Sequence, residues 1–181
     1  MENTDDKYYL GVDEHLVKVL VFGKKIPERY KVIIFELLNV ACDIQVNKCL
    51  TTKHLSKLEE GFRQSWEEVW FECSGRYIAR LAHNFFESEE LLEKLWNDKN
   101  VKIRVKVVSL IRVMPIRLAE QIMISALQDK SKVVRGIAAF EICTPRYMNY
   151  LPLVHEYLET ETDTKTKNWI ISRVELLKNK S

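Results

Sequence analysis

The chain has 181 residues, enough for one domain or one short helical array that buries roughly 70% of its unfolded surface. Its 46% hydrophobic and 30% charged residues exclude a disordered chain, and its five Gly and four Pro are few for an all-β fold, which needs many turns. The formal charge of +2 is too small to require a nucleic-acid partner.

Charge is distributed unevenly along the sequence. Between Glu59 and Asp98 there are ten acidic residues against four basic ones, whereas Lys99–Arg135 holds nine basic residues against two acidic ones. The chain is therefore electrically polarised along its length, although it is nearly neutral as a whole.

No secretory or membrane signal is visible. The N-terminal MENTDDKYYL has no basic segment followed by an apolar run, and no stretch approaches the ~20 apolar residues that span a bilayer. We therefore expect a cytoplasmic protein. The four cysteines form no CxxC pair, and in that compartment they are expected to be reduced, buried thiols.

Helix signals begin near the N-terminus. Asp13 is placed to cap a helix that Gly23 ends. Pro27 favours a second helix that starts at Glu28, is densely apolar, and runs towards Leu50.

Three further helices are expected before residue 98. Thr51 or Thr52 can cap the next helix, and the break expected at Ser74-Gly75 separates it from a helix over 76–86. Ser88 is then placed to cap another helix that stops just before Asp98.

From residue 98 onwards the sequence repeats itself, first at a shift of 31 and then of 32 residues. In each copy an acid is followed six positions later by a base, and then by apolar residues at helical spacing. The acids are Asp98, Asp129 and Glu161, and the corresponding bases are Arg104, Arg135 and Lys167. A period near 30 that contains two helices is typical of a helical repeat, whose units bury their apolar faces by stacking.

The repeat predicts the helices of this half. The predicted segments are Val101–Arg112 and Lys132–Ile142 as first helices, Ile116–Leu127 and Tyr147–Leu158 as second helices after Pro115 and Pro145, and Thr164–Leu177 as the last helix.

With its acid and base six residues apart, residues 90 to 178 resemble HEAT-type repeats. In that family an Asp in the turn between repeats lies near an Arg or Lys of the following helix, and stacked repeats form a ladder of such pairs. The resemblance implies a structural ladder role for Asp98, Arg104, Asp129, Arg135, Glu161 and Lys167. It also implies an all-α fold, a short α-α solenoid of about ten helices. We expect one helical-repeat domain over 1–181, divergent over 1–87 and clearer over 88–181.

No catalytic or cofactor motif is present. GxxxxGK[ST], GxGxxG and GxSxG are all missing, and none of the four histidines lies in an ExxH or HExxH pattern. We therefore predict a protein without catalytic activity, metal or cofactor.

The candidate partner-binding surface lies upstream of the repeats. An aromatic ridge that includes Trp66 and Trp70 lies beside a glutamate-rich face, and Trp anchors contribute strongly at interfaces. The residues assigned to this surface are Glu59, Arg63, Trp66, Glu67, Trp70, Glu89 and Glu90. The other interpretations are packing between helices for the tryptophans and a solvated helix face for the glutamates.

Three functional interpretations follow. The first is a non-catalytic protein-binding module. Small chains of this type resemble immunity proteins, which neutralise a toxin domain by one-to-one binding, and the acidic region would suit a basic toxin. The second is DNA binding or repair through residues 99–135, because one group of alkylpurine DNA glycosylases is built from HEAT-like repeats. The third is an accessory repeat subunit or an enzyme of another kind, for which no residue argues specifically.

Overall fold

The computed structural model describes residues 28–64 and 68–178, and within these ranges every regular element is helical. The predicted all-α class is confirmed for this part of the chain. The elements are α1 (Glu28–Asn47), α2 (Thr52–Gln64), α3 (Glu68–Leu81), α4 (Phe86–Trp96), α5 (Val101–Val108), α6 (Ile116–Ala126), α7 (Lys132–Ile142), α8 (Leu151–Thr160) and α9 (Thr164–Lys178), with 3₁₀ helices at Ile111–Val113 and Pro145–Tyr150. The helix predicted between Asp13 and Gly23 lies outside the described residues.

Thr51 is the residue that caps α2. Its hydroxyl accepts the backbone N–H of His54 at 3.3 Å, and its own N–H donates to Nδ1 of His54 at 3.3 Å. This reciprocal arrangement satisfies two donors that the first turn of a helix otherwise leaves unpaired. Because Nδ1 accepts, Nε2 of His54 donates to Asp43 at 2.7 Å, which ties α2 to the end of α1.

The break predicted at Ser74-Gly75 is wrong. Helix α3 continues through both residues to Leu81, so the separate helix predicted over 76–86 does not exist. Both small residues are buried, and α3 packs along α2. Gly in a helix interior costs about 1 kcal/mol relative to Ala, and the burial of larger neighbours in the same helix, such as Tyr77 and Ile78, outweighs a cost of that size.

The second helix of the second repeat starts later than predicted. Pro145 begins a 3₁₀ helix that ends at Tyr150, and α8 starts only at Leu151, not at Tyr147. The reason is Pro152, which lies in the first turn of α8. In a helix that started at Tyr147 it would be an interior residue, where it would remove a hydrogen bond and clash with the preceding turn.

The described chain divides into two compact units. One comprises the chain up to Leu95 together with Val113–Pro115, and the other comprises Trp96–Arg112 together with Ile116–Ser181. We call them unit 1 and unit 2. Their boundary lies eight residues after the one predicted between divergent and clearer repeats. In unit 1, α2 packs against both α1 and α3, around Leu58 and Phe62, which are fully buried.

Unit 2 is built from helices that recur at the sequence period. Helix α7 packs against both α5 and α9, and α6 and α8 also contact α7. The apolar residues predicted to recur are buried at each level: Val107, Ala138 and Ile170, then Ile111, Ile142 and Val174. Each fully buried Val, Leu or Ile side chain contributes roughly 1.5–3 kcal/mol, so these residues supply most of the stability of the unit.

Candidate interaction surfaces

On unit 1, Glu59 is the centre of an ion-pair cluster that joins α2 to α4. Arg63 donates to Oε1 of Glu59 at 2.9 Å, and Lys94 of α4 donates to Oε2 at 2.7 Å. Partial burial alone would raise the pKa of Glu59, but the hydrogen bonds from Lys94 and Arg63 outweigh it, and the pKa is lowered. Glu59 is therefore a charged anchor between two helices and not an unoccupied acidic group.

A second group of charges links α1 to α2. The ammonium of Lys57 lies 3.2 Å from a carboxylate oxygen of Glu36 and 3.4 Å from one of Glu60. The hydrogen bond to Glu36 is the main reason that the pKa of Lys57 is raised. About half of the Glu60 side chain remains exposed. This acid thus lies partly exposed on the surface of α2.

The residues predicted to bind a partner are placed as follows. Glu59 and Arg63 pair with each other, Glu89 is half-buried, and Glu90 is exposed on α4, one turn before Lys94. Trp66 and Glu67 lie outside the described residues, and so does the side chain of Trp70 in α3. The structure therefore brings α2 and α4 together through Glu59, and exposed glutamates border this contact.

On unit 2, the three acids of the repeat make the same turn. A side-chain oxygen of Asp98 accepts the backbone N–H of Asn100 at 2.7 Å. Asp129 accepts from Ser131 at 2.7 Å, and Glu161 accepts from Asp163 at 2.9 Å. In each case the acid closes the turn that leads into the next helix of the series α5, α7 and α9.

The arginines of the sequence repeat connect each repeat to the next one. Nη1 of Arg104 donates to the carbonyls of residues 98 and 99 at 2.8 and 3.1 Å. Nε and Nη2 of Arg104 donate to the two carboxylate oxygens of Asp129 at 2.7 and 3.0 Å. Arg135 repeats this geometry with the carbonyls of residues 129 and 130, and its Nη2 lies 3.4 Å from Glu161. Lys167 lies at the equivalent position of α9. The carboxylate that each arginine binds thus belongs to the following repeat.

The Arg104–Asp129 pair is shielded from water. Its side chains are only 14% and 8% exposed. Burial would raise the pKa of Asp129, but the hydrogen bond from Arg104, the Ser131 N–H and the nearby positive charge outweigh burial and lower it. A two-pronged guanidinium–carboxylate contact of this kind fixes geometry as well as charge.

A third cluster, which sequence reasoning did not identify, is formed by Arg112, Phe140, Glu141, Trp169 and Arg173. We call it the arginine–aromatic cluster. The rings of Phe140 and Trp169 are parallel within 6° and 4.6 Å apart, and the guanidinium carbons of Arg173 and Arg112 lie 4.9 and 5.7 Å from the Phe140 centroid. Nε of Arg112 lies 2.5 Å from the Glu141 carboxylate.

The cluster carries a net positive charge, with two guanidinium groups against one carboxylate. Burial raises the pKa of Glu141 despite the attraction of Arg112 and Arg173. Burial also raises the pKa of the neighbouring Cys143 thiol to about 11, so this cysteine stays protonated and unreactive at neutral pH. The cluster thus offers guanidinium N–H donors and aromatic surface, while the protonated thiol of Cys143 does not offer nucleophilic attack.

The described residues offer no metal-binding cluster, because no three His, Cys, Asp or Glu side chains within them are placed to share an ion. Nδ1 of His54 accepts the backbone N–H of Thr51 at the start of α2, and Nε2 of His83 donates to the carbonyl of Val113 at 3.1 Å. Within the same residues, no helix has the length and apolarity needed to cross a membrane.

Comparison of the chain with protein-family models, with curated proteins and with solved structures found no match.

Proposed function

We propose that the chain is a non-catalytic protein-binding module built as a short HEAT-like solenoid, and that it acts as an immunity protein that neutralises a toxin domain by one-to-one binding. The sequence period, the arginines that reach into the following repeat, and the contacts of α7 with α5 and α9 support the solenoid.

The last helix of the series also supports the solenoid. Gly136 and Phe140 of α7 face α9, and their equivalents on α9 are the exposed polar residues Asn168 and Ser172. These contacts place α7 against α9 in the way expected of neighbouring helices in a stack of repeats.

The observation that supports partner binding is the joining of α2 and α4 through Glu59. The bridge from Lys94 holds the exposed glutamates of both helices beside one contact, Glu60 on α2 and Glu90 on α4. Unit 1 as a whole has 17 acidic residues against 13 basic ones. A surface of this sign attracts a basic protein and repels acidic competitors, which provides speed and specificity of association.

The test is affinity purification of the tagged chain from its native host, followed by a charge-reversal comparison. We expect one basic protein to be retained in a one-to-one molar ratio with the tagged chain. The double variant Glu60→Arg/Glu90→Arg should weaken that complex by about tenfold or more, since like charges placed opposite each other cost several kcal/mol. The matched control is Glu156→Arg/Glu175→Arg, which makes the same charge change at exposed sites of α8 and α9.

If no protein is retained, or if both double variants bind equally well, the acidic surface is not the binding site. Glu59 is left intact in this design because it pairs with Arg63 and Lys94, so its replacement would disturb the fold as well.

The second candidate function is DNA binding or repair through residues 99–135. The excess of bases there favours it. However, Arg104, Arg112, Lys132 and Arg135 each pair with an acid inside unit 2, which leaves less charge for phosphates. A gel shift on duplex DNA at increasing salt separates the two functions: steep loss of binding with salt supports DNA, and no shift at low salt rejects it.

A further inference from the structure

We infer that the arginine–aromatic cluster of unit 2 is a second binding site, which takes an acidic protein segment: one carboxylate on Arg112 and Arg173, and an adjacent apolar side chain on Trp169. This site is separate in chemistry from the acidic surface of unit 1 and does not depend on the function proposed for that surface.

The first argument is the state of the arginine donors. A guanidinium group has five N–H donors, and Nε of Arg173 is buried without a hydrogen-bond partner in the described part of the chain. Arg112 gives its Nε to Glu141, and its side chain is still 40% exposed. The cluster therefore holds one buried donor whose hydrogen bond is not satisfied, together with a second guanidinium, that of Arg112, which solvent reaches. A carboxylate matches the planar fork of an arginine such as Arg112.

The second argument is the position of Trp169. Its side chain is 44% exposed although it stacks on Phe140, so one large aromatic side chain is held in place at the surface. A ring that is already ordered loses little conformational entropy when a partner covers it. Trp and Arg are also the residue types that dominate binding energy in protein interfaces.

The third argument concerns the class of partner. Unit 2 has 15 basic residues against 9 acidic ones, so it attracts anions at long range. Strong binding of a nucleic-acid backbone uses several phosphate contacts, whereas this cluster offers two guanidinium groups, one of which also holds Glu141. Two guanidinium groups and one exposed indole ring match a partner segment in which an acidic side chain lies next to an apolar one.

The experiment measures fluorescence anisotropy of labelled synthetic peptides with the full-length chain. Each peptide has a central Leu, Phe or Trp flanked by Glu, and its matched peptide has Gln in place of every Glu. We expect the Glu peptides to bind at least about tenfold more tightly than the Gln peptides, which corresponds to ~1.4 kcal/mol.

The variants Arg173→Gln and Trp169→Ala should each weaken Glu-peptide binding about tenfold or more, because they remove the donors and the apolar contact. Lys165→Gln, an exposed charge loss on the same helix, is the control and should change binding less than about twofold. Arg173→Gln decides the outcome if Trp169→Ala does not fold, because Gln keeps the polar character and part of the apolar stem of Arg173.

Three results overturn the inference: no binding of any Glu peptide, equal binding of Glu and Gln peptides, or equal weakening by Arg173→Gln and Lys165→Gln. A single-stranded oligonucleotide of thymidines serves as the other anion. If it binds more tightly than the Glu peptides and loses binding in Arg173→Gln, the site belongs to nucleic acid instead.

Discussion

Replacing Arg104 by Met should destabilise the protein by about 3–5 kcal/mol. Met keeps much of the apolar stem but removes the guanidinium, and the Asp129 carboxylate, 8% exposed, then retains the Ser131 N–H at 2.7 Å as its main donor. The two turn carbonyls that Arg104 also bonds lie near exposed residues, where water can replace it. The cost therefore comes mainly from a buried charge without its partner.

The matched control is Lys132→Met. Lys132 also lies in the first turn of a helix of the same series, and it also pairs with an acid of the next repeat, Asp163, at 2.8 Å. Its side chain is 60% exposed, so water and salt screen this pair, and its loss should cost far less stability than the loss of the Arg104–Asp129 pair. The two variants thus differ in burial more than in connectivity.

The assay is urea unfolding followed by far-ultraviolet circular dichroism, with the midpoint and slope fitted for each variant. The double variant Arg104→Met/Asp129→Asn should be more stable than Arg104→Met by about 1–3 kcal/mol, because it removes the unpaired charge and keeps an acceptor for Ser131. The reasoning is refuted if Arg104→Met loses no more stability than Lys132→Met, or if the second substitution restores nothing.

Four further predictions use the same unfolding assay. Asp129→Asn should destabilise the protein at pH 7, because the lowered pKa of Asp129 makes its charge stabilising. The difference in unfolding free energy from the natural chain should shrink as the pH falls below the ordinary Asp value of 3.8 and the folded carboxylate becomes protonated. Glu141→Gln should be neutral or stabilising at pH 7, because the raised pKa of Glu141 means that its charged form costs stability there; a larger loss than in Asp129→Asn would contradict this. A Cβ on Gly136 would lie 3.0 Å from Cγ2 of Thr166. Gly136→Ala alone should therefore raise the free energy of unfolding only a little, whereas in a Thr166→Ser background it should raise it by up to about 1 kcal/mol. Equal gains in both backgrounds would show that this contact does not matter. Lys48 follows α1 with φ of 51°, a left-handed conformation, so Lys48→Gly should stabilise by about 1 kcal/mol, whereas Asn47→Gly within the helix should not.

The sequence predicts helix positions well where one strong period governs them. Helix α7 has the predicted bounds, Lys132–Ile142, because its apolar spacing recurs and its ends carry ordinary cap and turn residues. It fails where a local cue conflicts with packing: Ser74-Gly75 suggests a break, but both residues are buried inside α3. The position of Pro152 indicates where α8 starts, but the repeat pattern alone places this proline inside the predicted helix Tyr147–Leu158.

The two kinds of cluster differ in how visible they are in the sequence. The acids and bases of the repeat recur at a fixed shift, so the pattern identifies the residues but not that Arg104 binds the acid of the following repeat. Phe140 and Trp169 stack although they are 29 residues apart and occupy different positions in the repeat. A contact that crosses the register in this way depends on the rotation between neighbouring helices, which no period in the sequence specifies.

The most direct test of the proposed function uses the protein captured from the native host. That protein is expressed in a heterologous bacterium with and without this chain, and growth is measured in both strains. We expect the captured protein alone to stop growth and co-expression of the chain to restore growth. The variant Glu60→Arg/Glu90→Arg should fail to restore growth, whereas Glu156→Arg/Glu175→Arg should restore it. A captured protein that leaves growth unchanged, or growth arrest that the chain does not relieve, would contradict it.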